Sequence, residues 1–381
     1  MPNYTEKIVE RMYSRLNELY PNDEVAKESL SQELKIIENA DEELERICIN
    51  RAKVIYGDSQ SDAISKRLRV ELEASKVNGN SGLYLIAYTL VKKSNDAGYH
   101  VCSLGAIGSS LIAYLMDITE IDPLAYNLPF EAFGGFDGDK EPVIILGFSE
   151  KYLSDNSGYI EKITVAPGLL KPLVFDYGLK IVKGDFFTTL KQKDYLTLLK
   201  ELEELSGVKS QLISLEDEKT LRLFTEGRLG GIPVFELEFF DNIVVLTKPK
   251  SFDDLVKILG LGTGEDTWDN NAEALINSGK VRLSDVIANR DEIMTYLISC
   301  GIDRRAAYEV MERVRRGLGL LGEQKELMLE AGVPQWYIDS CDKILYLIPK
   351  ANSISTALVL FRIAFYKAHY PDIFKSVFEQ V

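Results

Sequence analysis

The placement of extended runs constrains the fold of this chain more than any other feature. Short apolar or alternating stretches that fit β-strands occur only in its middle, at residues 99–103, 142–148, 163–165, 172–175 and 179–182. On both sides the apolar residues recur at the three-to-four-residue spacing of helices. Ile8, Met12, Leu16 and Leu19 show it before a break at Pro21-Asn22-Asp23, and residues 43–56, 61–74 and 83–96 continue it. Residues 78–82 read as a loop, and 111–118, 194–205 and 215–225 as further helices, with Gly207 stopping the second of these. Gly230-Gly231-Ile232-Pro233 is a break, and from Ser251 onward the pattern is helical almost throughout. Ser251 with Asp254, and Ser284 before Asp285, have the form of helix N-caps. A chain of 381 residues suits two or three domains. The pattern therefore fits an α+β region followed by an almost wholly helical one.

Composition narrows the class. Apolar residues make up 46% and charged residues 27%, which suits a folded soluble protein. No apolar run reaches the ~18 residues of a membrane span, and the N-terminus has no apolar signal core, so a cytoplasmic location is expected. Cys48, Cys102, Cys300 and Cys341 are scattered, with only His100 and His369 to join them. That spacing argues against zinc and for small buried residues in a reducing compartment. The net charge of −15 opposes nucleic-acid binding on average. One basic cluster stands out against it: Arg304, Arg305, Arg313, Arg315 and Arg316, interrupted by Glu309 and Glu312. By itself this reads as a solvated helix face.

One local arrangement suggests chemistry. A strand (99–103), a glycine turn (Gly105-Ala106-Ile107-Gly108-Ser109-Ser110) and a helix start follow one another. Free N–H groups and the helix dipole can hold a phosphate in such a turn. A tight turn that needs small residues explains the same letters.

Longer strings then become specific. LVKKSNDAGYHVCSLGAIGSSLIAYLMDITEIDPL, PFEAFGGFDGDKEPVIILGFSEKY, ELEELSGVKSQLISLEDEKTLRLF, GGIPVFE, TKPKSFDDLVKILGLGTGEDTWDNNAEALI, RDEIMTYLI, VMERVRRGLGL, VPQWYIDSCDKILYLIPKAN and FRIAFYKAHYP follow in order between about residues 40 and 373. Together they resemble the palm and fingers of PolC-type bacterial DNA polymerase III α subunits. The resemblance implies a Pol β-like nucleotidyltransferase palm over residues 1–225, with residues 149–185 in place of a much longer thumb. A helical fingers domain would span 226–381. In the family, three aspartates hold two Mg²⁺ ions that stabilise the attacking and leaving oxygens of nucleotidyl transfer.

This chain departs from that pattern at the chemistry. After Gly138-Asp139-Lys140-Glu141-Pro142, the two aspartate positions of the strand fall on Val143 and Ile145, and the third falls on Thr189, with Asp185 four residues away. Hard Mg²⁺ takes oxygen ligands, so hydrocarbon cannot substitute. The family's Ser-Arg-Gly reads Ser103-Leu104-Gly105, and its Pro-Lys-Ala-His reads Pro349-Lys350-Ala351-Asn352. Ala125-Tyr126-Asn127 bridges the place of a zinc-binding insertion. The exonuclease, PHP, OB, duplex-binding and clamp-binding regions of the family are expected to be absent.

The resemblance thus describes a DNA-directed DNA polymerase, but an inactive relative is expected, with no cofactor or metal bound. Gly105, Gly108, Ser109 and Ser110 in the palm, and Arg290, Arg313, Arg315, Arg316, Lys343, Lys350 and Arg362 in the fingers, remain as phosphate- or nucleotide-binding candidates. Three functions stay open at this point. The chain could bind a replisome protein, a nucleotide or DNA without catalysis. It could be an active nucleotidyltransferase with relocated ligands such as Asp117, Glu120, Asp137, Asp139 or Asp185. It could be an interaction protein whose cleft takes no ligand.

Overall fold

The computed structural model describes residues 39–57, 61–138, 140, 143–156, 179–183 and 194–378, together with Thr5, Glu6, Glu10, Pro21, Asn22, Glu24 and Glu28. The strands expected at 163–165 and 172–175, the helix through Ile8 to Leu19, and most of the segment 149–185 lie outside the described residues. The chain forms two compact units, residues 1–126 with 130–185, and residues 127–129 with 186–381.

Unit 1 contains α1 (Ala40–Tyr56), α2 (Asp62–Asn78), α3 (Ser81–Asp96), β1 (Val101–Leu104), α4 (Leu111–Leu115), α5 (Glu131–Gly134), β2 (Ile144–Phe148), α6 (Glu150–Asp155) and β3 (Leu179–Lys183). Its sheet is mixed: β2 is central, antiparallel to β1 and parallel to β3. Ile144, Leu146 and Phe148 are buried against Leu44, Leu90, Leu111 and Ile112 from the helices. Strand residues alternate faces, so Ile145 lies on the opposite one. The loop expected at 78–82 shrinks to two residues. Gly79 takes the left-handed conformation (φ +61°) that closes α2, and α3 begins at Ser81.

Unit 2 is helical among the described residues, apart from a single bridge between Glu265 and Tyr346. It comprises α7 (Tyr195–Ser206), α8 (Glu218–Thr225), α9 (Glu238–Thr247), α10 (Phe252–Thr263), α11 (Glu273–Asn277), α12 (Arg290–Ser299), α13 (Arg304–Val314), α14 (Gly322–Glu330), α15 (Gln335–Lys343), α16 (Lys350–His369) and α17 (Pro371–Phe378). The sequence explains the centre. Helix α16, KANSISTALVLFRIAFYKAH, is apolar or small on every side and is buried along most of its length. Phe361 on it stacks with Phe224 of α8 and meets Phe252 of α10 edge-on. Helices α12, α13 and α15 close a second core around Leu297, Val310, Met311, Ile338 and Cys341. Because α7 and α8 pack on α16, the division falls near residue 185 and not at 225.

The capping signal at Ser251 holds: its hydroxyl accepts from Asp254 N–H at 3.2 Å, and the Asp254 carboxylate accepts from Ser251 N–H at 3.1 Å. Ser284 caps no α-helix. The chain there makes one 3₁₀ turn (Leu283–Asp285), and the Asp285 carboxylate takes both the Arg282 N–H and the Ser284 hydroxyl. Among the described residues no helix is long and apolar enough to cross a membrane.

Candidate functional site

In unit 1 the register of the sheet fixes the geometry. Ile145 lies opposite Leu104 on β1 and Lys180 on β3. Its Cδ1 comes within 3.4 Å of where a Cβ on Gly105 would stand. Gly105 has φ +67°, a conformation that L side chains rarely adopt. The strand position assigned to a carboxylate therefore does face the glycine turn, but it presents a methyl group there. Val143, the residue before β2, is 45% exposed.

The turn itself is bonded internally. Ser109 N–H donates to Ala106 O and Ser110 N–H to Ile107 O, both at 2.9 Å. Beyond it, Leu111 N–H and Ile112 N–H donate to the Glu71 carboxylate at 3.0 and 3.2 Å. The Ser110 hydroxyl accepts from Ala113 N–H and donates to Glu71 Oε2 at 2.8 Å. Glu71 is buried and pairs with Arg67 at 2.5 Å, and Arg67 also donates to Ser109 O at 2.6 Å. Among the described residues the buried Ser109 hydroxyl has no hydrogen-bond partner. Gly105, Gly108, Ser109 and Ser110 are thus brought together, and a carboxylate already takes the first two N–H groups of α4. Burial, then the nearby Glu71 charge, pushes the Tyr84 hydroxyl above its usual range.

The two Mg²⁺ ions of the family do not fit the residues described. Val143 and Ile145 offer no oxygen, and no group of three His, Cys, Asp or Glu side chains forms a ligand set among the described residues. Asp117 is held by Arg51 at 2.5 and 2.7 Å. Thr189, Asp139 and Asp185 lie outside the described residues, as does the side chain of Asp137. Cys48, Cys102 and Cys341 are buried and Cys300 is half-buried.

In unit 2 the basic candidates are present, but the fold itself uses them. Arg290 and Arg362 are only 5% and 6% exposed. Burial pushes the Arg290 guanidinium down, against the opposing charge of Asp291. Arg315 and Arg316 share one carboxylate, Glu312, at 2.5 Å each. Burial alone would lower the Arg315 value, but the Glu312 bond raises it. Arg313 closes the end of α13 by donating to the carbonyls of Leu318 and Gly319 at 3.1 and 3.2 Å. Lys343 Nζ donates to Asn270 O at 2.9 Å. Lys350 starts α16, and its backbone N–H donates to the fully buried Asp291 at 2.7 Å. Asp291 thus joins Lys350 to its own neighbour Arg290. Among the described residues neither Arg313 nor Lys343 pairs with a carboxylate.

Sequence reasoning missed Glu71, Arg67, Asp291 and Glu312. Three of these were readable. Arg67 and Glu71 stand four apart on one helix, and Glu312 precedes Arg315 and Arg316 by three and four. The pairing of Asp291 with residue 350 left no local signal.

Comparison with known proteins agrees with this geometry. Residues 42–163 match the model described as bacterial DNA polymerase III alpha NTPase domain, and residues 193–334 match the bacterial DNA polymerase III alpha subunit finger domain. The chain is 33% identical to the DNA polymerase III PolC-type of Caldanaerobacter subterraneus subsp. tengcongensis, covering 90% of this chain and 34% of the relative. It is 31% identical to that of Thermotoga petrophila, covering 98% and 38%, and 30% identical to that of Bacillus subtilis, covering 90% and 33%. The chain therefore spans only about a third of the length of these curated relatives. The first alignment runs over 477 positions against a chain of 381 residues, so the relative carries at least 96 residues within the matched stretch that have no counterpart here. Both matched models and the relatives assign one descent: the chain belongs to the PolC-type bacterial DNA polymerase III α-subunit family.

Proposed function

We propose that this chain is a non-catalytic member of the family that acts by binding, and that its ligand is a nucleotide. The observation that carries the reading is Ile145. It stands on the sheet face that meets the glycine turn, where the family resemblance puts a metal-binding carboxylate, and its δ-methyl packs on Gly105. Two-metal nucleotidyl transfer has no ligands on that strand. Binding needs fewer groups. Within unit 1 the buried Ser109 hydroxyl has no hydrogen-bond partner among the described residues. The net charge of −15 favours a small anion over a long duplex. A replisome protein and DNA remain the other partners that family membership suggests, and the cytoplasmic location expected from sequence belongs to the same proposal.

Two measurements test it. Primer extension with Mg²⁺ or Mn²⁺ should give no templated product, and any metal-dependent extension would overturn the non-catalytic reading. Millimolar Mg²⁺–dATP should raise the melting temperature, since a ligand that binds only the native state stabilises it by mass action. The absence of a shift, together with DNA binding that weakens steeply with salt, would replace nucleotide by nucleic acid.

A further inference from the structure

We propose that the groove between α1 and α2 is a docking surface for this chain's own N-terminal segment, residues 6–19, which lies along it as an amphipathic helix. The Ser81 hydroxyl, just past the end of α2, donates to Asp41 at the start of α1 at 2.5 Å, so the two helices run antiparallel. Between them they leave a groove of about 570 Å³ that runs from Asp41 and Ser81 at one end to Lys53 and Ser65 at the other. Its floor is apolar. Leu44 and Leu68 are buried there, and Ile49 is 38% exposed. The α1 rim carries Asp41, Glu42 and Glu45.

Three observations name the occupant. Thr5 is fastened at the Ser81 end. Its N–H and its hydroxyl both donate to Gly79 O, at 2.7 and 2.8 Å, and the hydroxyl accepts from Gly82 N–H at 3.3 Å. Next, Thr5, Glu6 and Glu10 are helical, and Glu6 and Glu10 are exposed. Ile8 and Met12 each follow one of these glutamates by two residues, about 200° around a helix. With the glutamates in solvent, a helix continuing from them turns Ile8, Met12, Leu16 and Leu19 toward the groove. Length and charge also agree. Thr5 to Leu19 measures about 21 Å as helix, and Asp41 to Lys53 about 18 Å. A helix that starts beside Ser81 runs parallel to α1. That direction brings Lys7 level with Asp41 and Glu42, and Arg11 level with Glu45. Burial of the apolar stripe supplies the attraction, and the charges on the rim set the register.

The test uses the full chain. In the double variant Met12→Cys/Ile49→Cys, mild oxidation should join positions 12 and 49 within one monomer, as mapped by peptide mass spectrometry. The control Met12→Cys/Val54→Cys, with Val54 75% exposed and outside the groove, should not cross-link. Ile49→Asp should speed amide exchange over residues 8–19 by roughly tenfold or more while exchange in β2 stays as in wild type. Arg11→Glu and Glu45→Arg should each speed it by roughly twofold to fivefold, and the two together should restore it. A disulfide formed only between two chains would make the occupant the segment of a second copy and overturn docking within one chain. Random-coil exchange over residues 8–19 in the wild type, or equal cross-linking at 49 and 54, would overturn the groove as the seat of the segment.

Discussion

The two units have treated their inherited charges in opposite ways. Unit 1 carries Val143 and Ile145 where the resemblance places carboxylates, while unit 2 retains Arg290, Arg313, Arg315, Arg316 and Arg362. The difference lies in what each charge does for the fold. Two carboxylates side by side on one strand repel each other when no metal lies between them, and nothing in the sheet needs them. A β-branched pair suits that strand better. The arginines of unit 2 close a helix end at Leu318 and Gly319, bind Glu312, and sit within the helical core. Folding alone keeps them. Retained charge in unit 2 is therefore weaker testimony for a ligand than lost charge in unit 1 is for lost catalysis.

The largest effect should come from Arg290. If it is structural, Arg290→Ala leaves the fully buried Asp291 without its opposing charge and should cost about 3–5 kcal/mol, seen as a lower urea midpoint at unchanged slope. Arg305→Ala, on the exposed side of α13, should stay within about 0.5 kcal/mol. Equal costs for the two would erase the contrast between the units.

Next come the two strand positions. Ile145→Asp buries part of a carboxylate against Gly105 and should cost about 1–3 kcal/mol, while Val143→Asp, 45% exposed, should stay within about 0.5 kcal/mol. The double variant should still not extend a primer, because two carboxylates without the rest of the ligand set do not hold two ions. Extension by that variant would show that the loss in unit 1 is confined to the strand.

Glu312→Gln sharpens the comparison from the other side. It should cost about 1 kcal/mol, as two partly exposed guanidinium groups lose a shared partner. It should also free Arg315 and Arg316, so that the slope of log affinity against log salt for single-stranded DNA steepens by up to about 1.4. An unchanged slope would mean that these arginines face no ligand even when released.

How much of this was legible in the sequence follows the range of each interaction. The strand at 144–148, the capping box at Ser251 and the helical second half are local patterns, and they were readable because period and capping act over a few residues. Ser284 failed as a cap because its hydroxyl donates to the neighbouring Asp285 carboxylate, which also takes the Arg282 N–H. The division near 185 was hidden, since α7 and α8 show amphipathic faces but not that Phe224 faces Phe361. The glycine turn was visible, but its occupant was not. Glu71 approaches from about forty residues away, and no pattern inside the turn announces it.

The smallest effect is on acid stability, and it should arise within unit 2, where the charges are structural. Burial alone would raise the Asp217 carboxyl, but its bonds from Thr220 and His369 hold it below the usual carboxylate range. A depressed folded value means stability that is present above the unfolded value near pH 3.9 and lost as the pH falls through the folded one. Asp291 runs the other way. Burial raises it despite Arg290, so its contribution is present below the unfolded value and lost as the pH rises through the folded one. Asp217→Asn should therefore remove under about 1 kcal/mol at pH 6, and its difference from wild type should vanish on acidification. The difference for Asp291→Asn should instead shift in favour of the variant as the pH rises from the acid limb toward neutrality. Two unfolding series against pH with slopes of the same sign would mean that one of the two carboxylates is not held as the structure shows.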